Sequence, residues 1–471
     1  MPRLRALALV LAALLLPSAA GHTQPQSRLP TSQAEIQLSF APLVQRAAPA
    51  VVNVYTRRVE RVAQRPSPMF DDPFFRRFFG DLAPFGPPRE RIAQSLGSGV
   101  IVEPDGVIVT NNHVVEGATE IVVALSDRRE FEARVVAADP RVDLAVLRID
   151  TEGEILPHLE FRDSDDLQVG DLVVAIGNPF GVGQTVTQGI VSALGRSGVG
   201  GLDAQSFIQT DAAINPGNSG GGLVTMDGRL AGINTAIFSK SGGSIGIGFA
   251  IPSNLVSATV ASALAGKGIR RPWLGARGQP VTAEIAQGLG LSRPGGVLVG
   301  EVQAGSPAAR AGLQPGDLVQ AVDGRPVSDP QALKFRIATR KLGETAVLDI
   351  LRRNVAMKLT IDLVEAPEDP PRDVTELQGN QPLAGATVGN LSPAFAEELG
   401  IDTLEEGVIV LEVAPGSPAH RLRIRPGDLV AKVNGRDITL VDQLKRLEQG
   451  ASQWTLVLKR GEQYFTLNLR G

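Results

Sequence analysis

The chain has no cysteine. That excludes disulfides, a lipidated N-terminal cysteine, thiol catalysis and cysteine-ligated metal, so an exported form must rest on packing alone. Aromatics are scarce, 4% of residues, which suits β-rich cores built from Val, Leu and Ala. No charge sign dominates: 46 Lys and Arg face 50 Asp and Glu, a net charge of −4. No nucleic-acid or anionic-membrane partner is implied. The N-terminal apolar run, Ala6 to Leu16, is shorter than the roughly 20 residues of a membrane helix. It follows Arg3 and Arg5 and leads to Ser18-Ala19-Ala20, so residues 1–20 read as a cleavable secretory signal. An uncleaved anchor is the alternative. Histidine is also sparse: His22, His113, His158 and His420 are the whole supply of imidazole bases.

What is abundant is glycine, 52 residues, and one cluster carries chemistry. In Ile214-Asn215-Pro216-Gly217-Asn218-Ser219-Gly220-Gly221-Gly222 a serine sits where the backbone can bend sharply and point N–H groups at a substrate oxygen. Gly217-Asn218-Ser219-Gly220-Gly221 also fits the nucleophile elbow of α/β-hydrolases, and a plain glycine-rich turn is a third reading. The elbow order would need His420 as base, but that position is Ala309 in a repeated segment. Three glycines after Ser219 also start a helix poorly. The order His, Asp, Ser leaves His113 or His158. His113 is favoured, because it ends the apolar run Val107-Ile108-Val109 and can face a cleft. His22 lies beside the cleavage site. For the orienting carboxylate, Asp143 stands out over Asp139, Asp150 and Asp163. It opens the apolar strand Asp143-Leu144-Ala145-Val146-Leu147, where a carboxylate needs a partner.

The 471 residues should hold two to four domains. A helix is expected over Glu35 to Arg46 and a strand over Val51 to Tyr55. Residues 57–94 form a Pro- and Arg-rich insertion carrying Phe74-Phe75-Arg76-Arg77-Phe78-Phe79, an aromatic cluster that suggests an interaction surface. Leu96 to Asn254 alternates short strands and glycine turns, as antiparallel barrels do, and Leu255 to Leu264 closes it as a helix. Then a segment repeats. Gly305-Ser306-Pro307-Ala308 and Pro315-Gly316-Asp317-Leu318-Val319 recur as Gly416-Ser417-Pro418-Ala419 and Pro426-Gly427-Asp428-Leu429-Val430. Two tandem domains, 270–365 and 378–471, follow a first domain over 35–265, with Glu365 to Glu376 as the linker between the copies.

Together these motifs resemble the HtrA/Deg family of bacterial envelope serine proteases in its form with two PDZ domains. The resemblance rests on Gly97-Ser98-Gly99, Thr110-Asn111-Asn112-His113-Val114, Asp143-Leu144-Ala145-Val146, Ala175-Ile176-Gly177-Asn178, Gln209-Thr210-Asp211, Gly217-Asn218-Ser219-Gly220-Gly221 and Gly246-Ile247-Gly248-Phe249, in that order. It implies a mainly β fold, a chymotrypsin-like double β-barrel followed by two PDZ domains. It implies His113, Asp143 and Ser219 as the triad and the N–H groups of Gly217 and Ser219 as the oxyanion hole. It places Ile214 and Asn234-Thr235-Ala236-Ile237-Phe238 at the specificity pocket, for small or β-branched aliphatic residues. Trp273-Leu274-Gly275-Ala276, and less closely Leu383-Ala384-Gly385-Ala386, match the loop that receives a peptide carboxylate. The implied protein is an ATP-independent periplasmic endopeptidase for unfolded or damaged envelope proteins. It takes no cofactor or metal, forms trimers that join into larger homo-oligomers, and uses the insertion as a regulatory loop. A chaperone or binding scaffold with secondary proteolysis, and a membrane-anchored regulatory protease, are the rival readings.

Overall fold

A computed structural model describes residues 39–60, 91–178, 183–196, 206–215, 217–237, 244–266, 268–446, 453–461 and 463–470. The first half builds two closed barrels. Barrel one contains β1 (Val51–Glu60), β2 (Arg91–Glu103), β3 (Val107–Thr110), β4 (Glu120–Ala124), β5 (Glu130–Asp139) and β6 (Leu144–Ile149). Barrel two contains β7 (Leu172–Gly177), β8 (Thr185–Arg196), β9 (Phe207–Thr210), β10 (Gly222–Thr225), β11 (Leu230–Ile237) and β12 (Gly248–Pro252). Closure pairs every strand on both edges, so no exposed backbone ladder remains. Runs such as Val107-Ile108-Val109 and Val173-Val174-Ala175-Ile176 are buried on both faces, one toward a barrel interior and one toward the other barrel or a helix. That is why they read as continuous apolar stretches rather than alternating ones.

Several expected boundaries move. The first helix, α1, covers Ala41–Ala47, with Pro in its first turn; residues 35–38 lie outside the described residues. The strand expected to stop at Tyr55 runs to Glu60, paired from Arg57 opposite Gln94 to Glu60 opposite Arg91. The insertion is therefore narrower than 57–94, and its phenylalanine cluster lies outside the described residues. After α2 (Asn112–Val115), the closing helix α3 spans Ser253–Leu264 and covers the junction of the barrels with Leu255, Val256 and Val260.

The second half contains the two repeats. The first holds β13 (Pro272–Trp273), β14 (Ala276–Pro280), β15 (Val297–Val302), β16 (Leu318–Val322), β17 (Arg325–Pro326), β18 (Thr345–Arg352), β19 (Val355–Asp362) and β20 (Val364–Glu365). Its helices are α4 (Ala283–Gly288), α5 (Pro307–Arg310) and α6 (Pro330–Ala338). The second holds β21 (Thr375–Glu376), β22 (Ala386–Leu391), β23 (Gly407–Val413), β24 (Leu429–Val433), β25 (Arg436–Asp437), β26 (Gln453–Arg460) and β27 (Gln463–Arg470). Its helices are α7 (Pro393–Leu399), α8 (Pro418–Arg421) and α9 (Val441–Lys445). The repeated words have physical jobs. Ser306 and Ser417 are helix N-caps, accepting from Ala309 N–H and His420 N–H at 3.1 Å each, with proline in the first turn behind them. Asp317 and Asp428, each 1% exposed, are buried carboxylates paired with Arg352 at 2.7 Å and Arg460 at 2.6 Å. The first repeat docks on the barrels through α6: Phe335 joins the core cluster at their junction. Arg325 donates to Asp165 O at 2.8 Å and Asp166 at 3.1 Å, and Arg336 pairs with Asp165.

Candidate active site

His113 sits in α2, just past β3 of barrel one, and Asp143 sits in the turn between β5 and β6. The turn is closed by Val142 N–H to Asp139 O and Asp143 N–H to Pro140 O, both 3.3 Å. It leaves Asp143 at φ +52°, ahead of the strand rather than in it. A non-glycine residue there costs about 1–2 kcal/mol, and the carboxylate's bonds offset it. Asp143 Oδ1 accepts from His113 N–H at 3.0 Å, and Oδ2 lies 2.8 Å from His113 Nδ1. One carboxylate thus fixes both the main chain and the ring of the histidine. Asn111 Nδ2 donates to Asp143 O at 2.9 Å, and the Thr235 hydroxyl donates to Oδ2 at 2.6 Å.

Burial disfavours the imidazolium of His113, but the Asp143 charge and hydrogen bond outweigh it, and the net shift is upward from 6.5. The ring is held as an Nδ1–H donor to Asp143, which leaves Nε2 as the proton acceptor. The other aspartates go elsewhere. Asp139 pairs with Arg141 and Arg271, Asp150 accepts from Glu152 N–H, and Asp163 accepts from Asn254. His158 Nδ1 lies 3.3 Å from Leu156 O, and His420 Nδ1 accepts from Gly416 in the second repeat. His22 lies outside the described residues.

Ser219 belongs to barrel two, in the loop before β10, and barrel one holds that loop in place. Ser98, fully buried on β2, donates its N–H to Ser219 O at 2.9 Å and its hydroxyl to Gly217 O at 2.5 Å. It also accepts from Asn178 N–H at 2.8 Å. Gly220 has φ +81°, and a Cβ there would lie 2.1 Å from Ser98 O, so only glycine fits. In the loop, Asn218 N–H bonds Asn215 O at 3.0 Å, Gly220 N–H bonds Asn234 O at 2.8 Å and Gly221 N–H bonds Asn218 O at 2.9 Å. Among the described residues, no acceptor meets the N–H of Gly217 or Ser219. The Ser219 hydroxyl makes a long contact, 3.4 Å, to Thr235 O.

The expected pocket residues divide. Ile214, 1% exposed, packs against Gly248, where a Cβ would lie 2.8 Å from its Cδ1. Asn234 is buried, and neither polar atom of its side chain has a partner among the described residues. Thr235 spends its hydroxyl on Asp143 instead of presenting it to a pocket. Ala236 and Ile237 lie on β11, and Phe238 is outside the described residues. Ser98 and Asn111 carry site geometry that their sequence words signalled without giving a role.

Comparison with known proteins assigns families to both halves of the chain. A trypsin-like peptidase domain matches residues 97–233, and a PDZ domain matches 298–352 and 409–460. Fold and site together define a trypsin-like serine endopeptidase carrying two PDZ domains. A probable periplasmic serine endoprotease, DegP-like, of Pseudomonas putida (strain W619) is 39% identical over 98% of both chains. The periplasmic serine endoprotease DegP of Escherichia coli (strain K12) is 36% identical over 98% of this chain and 97% of its own. A solved HtrA-type protease, AlgW with decapeptide, is 47% identical with TM-score 0.51, covering 71% of this chain and all of its own. The chain belongs to the HtrA family, among its DegP-like periplasmic serine endoproteases. No helix among the described residues is long and apolar enough to cross a membrane.

Proposed function

We propose that the chain cuts unfolded or damaged envelope proteins without ATP, with Ser219 as nucleophile, His113 as base and Asp143 as its orienting group. The observation that carries this is the double hold of Asp143 on His113, at main chain and ring. Ser219 Oγ attacks the peptide carbonyl as its proton passes to His113 Nε2. The N–H groups of Gly217 and Ser219 hold the oxyanion, each worth about 3 kcal/mol. The C–N bond breaks as His113 returns the proton to the amine, and water then hydrolyses the acyl-enzyme with His113 again as base. No step consumes a nucleotide. Ile214 and the Asn234–Phe238 segment set the preference for small or β-branched aliphatic residues. The first repeat captures substrate C-termini by β-augmentation, receiving the carboxylate at Trp273-Leu274-Gly275-Ala276. The free outer edge of β14, unpaired among the described residues, supports this. The signal is removed on export, and the chains act as trimers and larger homo-oligomers. The test is digestion of unfolded casein with cut sites mapped by mass spectrometry. Ser219→Ala should abolish cleavage, and undiminished cleavage would reject the assignment.

A further inference from the structure

The two repeats share sequence but differ in the state of their grooves. Their carboxylate-loop segments correspond bond for bond. Leu274 O accepts from Ala308 N–H and Gly275 O from Gln303 N–H, at 3.1 and 2.9 Å. Ala384 O accepts from Ala419 N–H and Gly385 O from Ala414 N–H, at 3.2 and 2.7 Å. Beyond the loop, the first repeat's edge strand β14 has no strand on its outer edge among the described residues, and Asp402 of the second repeat bridges Arg277 on it to Lys334 on α6. The second repeat's counterpart, β22, carries β21 antiparallel on its outer edge, with Glu376 opposite Thr387 and Thr375 opposite Val388. The residues between the repeats, read from sequence as a linker, thus lie partly on the second domain.

The contact continues at both ends of β21. Gly385 N–H donates to Leu377 O at 2.7 Å, and Leu377 N–H donates to Ala386 O at 2.8 Å. Asn390 donates its N–H to Arg372 O at 2.6 Å and its Nδ2 to Pro371 O at 2.7 Å. From helix α9, Lys445 Nζ reaches both oxygens of Asp373, at 2.7 and 2.8 Å. Side chains alternate as in a strand bound on one face: Leu377 is 2% exposed within the domain's core cluster, Glu376 is exposed, Thr375 half-buried and Val374 53% exposed. At the equivalent of Gly385, the N–H of Gly275 has no acceptor among the described residues.

An extended peptide docks on a sheet edge in this way, main chain to main chain, with alternate side chains in pockets and its end in a loop of N–H groups. We infer that residues 371–377 are a built-in ligand of the second PDZ domain, holding its groove closed to other peptides. The occupant also defines the groove's ligand class: a peptide ending in leucine, with threonine two residues before it and an acidic residue four before it. This rests on the capture reading proposed above for the first repeat. A tethered occupant acts at an effective concentration of about millimolar. A free peptide in the micromolar range must therefore outcompete it. The two repeats have separate duties: no strand pairs with the first groove's edge among the described residues, where Asp402 of the second repeat bridges Arg277 and Lys334, and the second groove opens only when its strap leaves.

The experiment uses the full chain with Ser219→Ala. Because the chain has no cysteine, Glu376→Cys with Thr387→Cys can report the strap directly: facing residues of antiparallel strands lie about 4.5–5.5 Å apart, within disulfide reach. Mild oxidation should cross-link the pair fully, and no cross-link overturns the inference. The free peptide Asp-Val-Thr-Glu-Leu is then titrated by calorimetry. Expected are one site per chain in the parent, one in the cross-linked form, and two when Leu377→Ser frees the strap. Two sites in the parent or cross-linked form, or one in every variant, overturns the inference alone. No site anywhere overturns the capture reading and the inference with it. Should Leu377→Ser not fold, amide hydrogen exchange in the unaltered chain decides. Gly385 should exchange at least about tenfold more slowly than Gly275, and equal rates refute the strap.

Discussion

Asparagine at position 143 keeps the shape of the site and removes one charge. The Asp143 carboxylate meets three donors: His113 N–H at 3.0 Å, His113 Nδ1 at 2.8 Å and the Thr235 hydroxyl at 2.6 Å. An amide has one acceptor oxygen for them. Where its NH₂ faces Nδ1, the ring must carry its proton on Nε2, and Nε2 can no longer take the proton of Ser219. Loss of the working tautomer and of the charge opposite the imidazolium lowers kcat about 10⁴-fold, or about 5.4 kcal/mol of barrier. A second readout follows from pH. His113 titrates above 6.5 because Asp143 outweighs burial, and the base must be neutral, so kcat/KM of the parent falls as pH drops through that raised value. In Asp143→Asn, burial stays and the charge is gone, so the acid limb of the residual activity moves below 6.5. Cleavage of a quenched-fluorescence peptide across about pH 5 to 9 measures both. A kcat within about tenfold of the parent, or an unmoved limb, refutes the role given to Asp143.

Thr235→Val removes one of the three donors and keeps the volume. It should lower kcat about two- to tenfold with little change in KM, and an equal rise in KM would place Thr235 in substrate binding instead. Ser98→Ala strands Gly217 O and Asn178 N–H in a buried site. It should destabilise by about 1–3 kcal/mol in chemical denaturation and lower kcat, with both effects absent if the loop stands alone. Gly220→Ala meets both a positive φ and Ser98 O, so a loss of at least about 3 kcal/mol is expected; an unchanged Tm contradicts it. Arg271→Gln leaves Asp139, 3% exposed, with Arg141 as its remaining charged partner. Burial raises the Asp139 carboxyl, but Arg141 and Arg271 together hold it below 3.8. Burial also draws Arg271 downward, yet an arginine starts high enough to stay charged. The pair's stability is therefore full above pH 3.8 and fades as pH falls through the lower folded value. The glutamine variant should lose about 1–3 kcal/mol near neutrality and show a flatter acid limb; an unchanged acid limb in the variant rejects the pairing.

Where the sequence was informative, local chemistry fixed the answer. The recurrence of Ser306-Pro307 as Ser417-Pro418 marked two copies of one domain, and the structure adds that both serines cap helices. The glycines around Ser219 announced a backbone no other residue tolerates. Buried runs announced strands because they are short, rich in valine and isoleucine and bounded by glycine turns. Boundaries moved where long-range pairing won. β1 continues to Glu60 because β2 lies beside it, and nothing in Arg57-Arg58-Val59-Glu60 says so.

The amino-acid sequence by itself determined a barrel-forming run of short strands and turns, the number of repeats and the chain order of histidine, aspartate and serine, while the pairing of two barrels came with the family resemblance. Those depend on turns, caps and apolar period, all local. Only the tertiary structure decided that Asp143 holds both the main chain and the ring of His113, that Ser98 of one barrel holds the serine loop of the other, and that two near-copies of one domain differ in their grooves. Each is a contact between residues far apart in the chain, and such contacts are set by which edges and faces meet when the whole molecule packs.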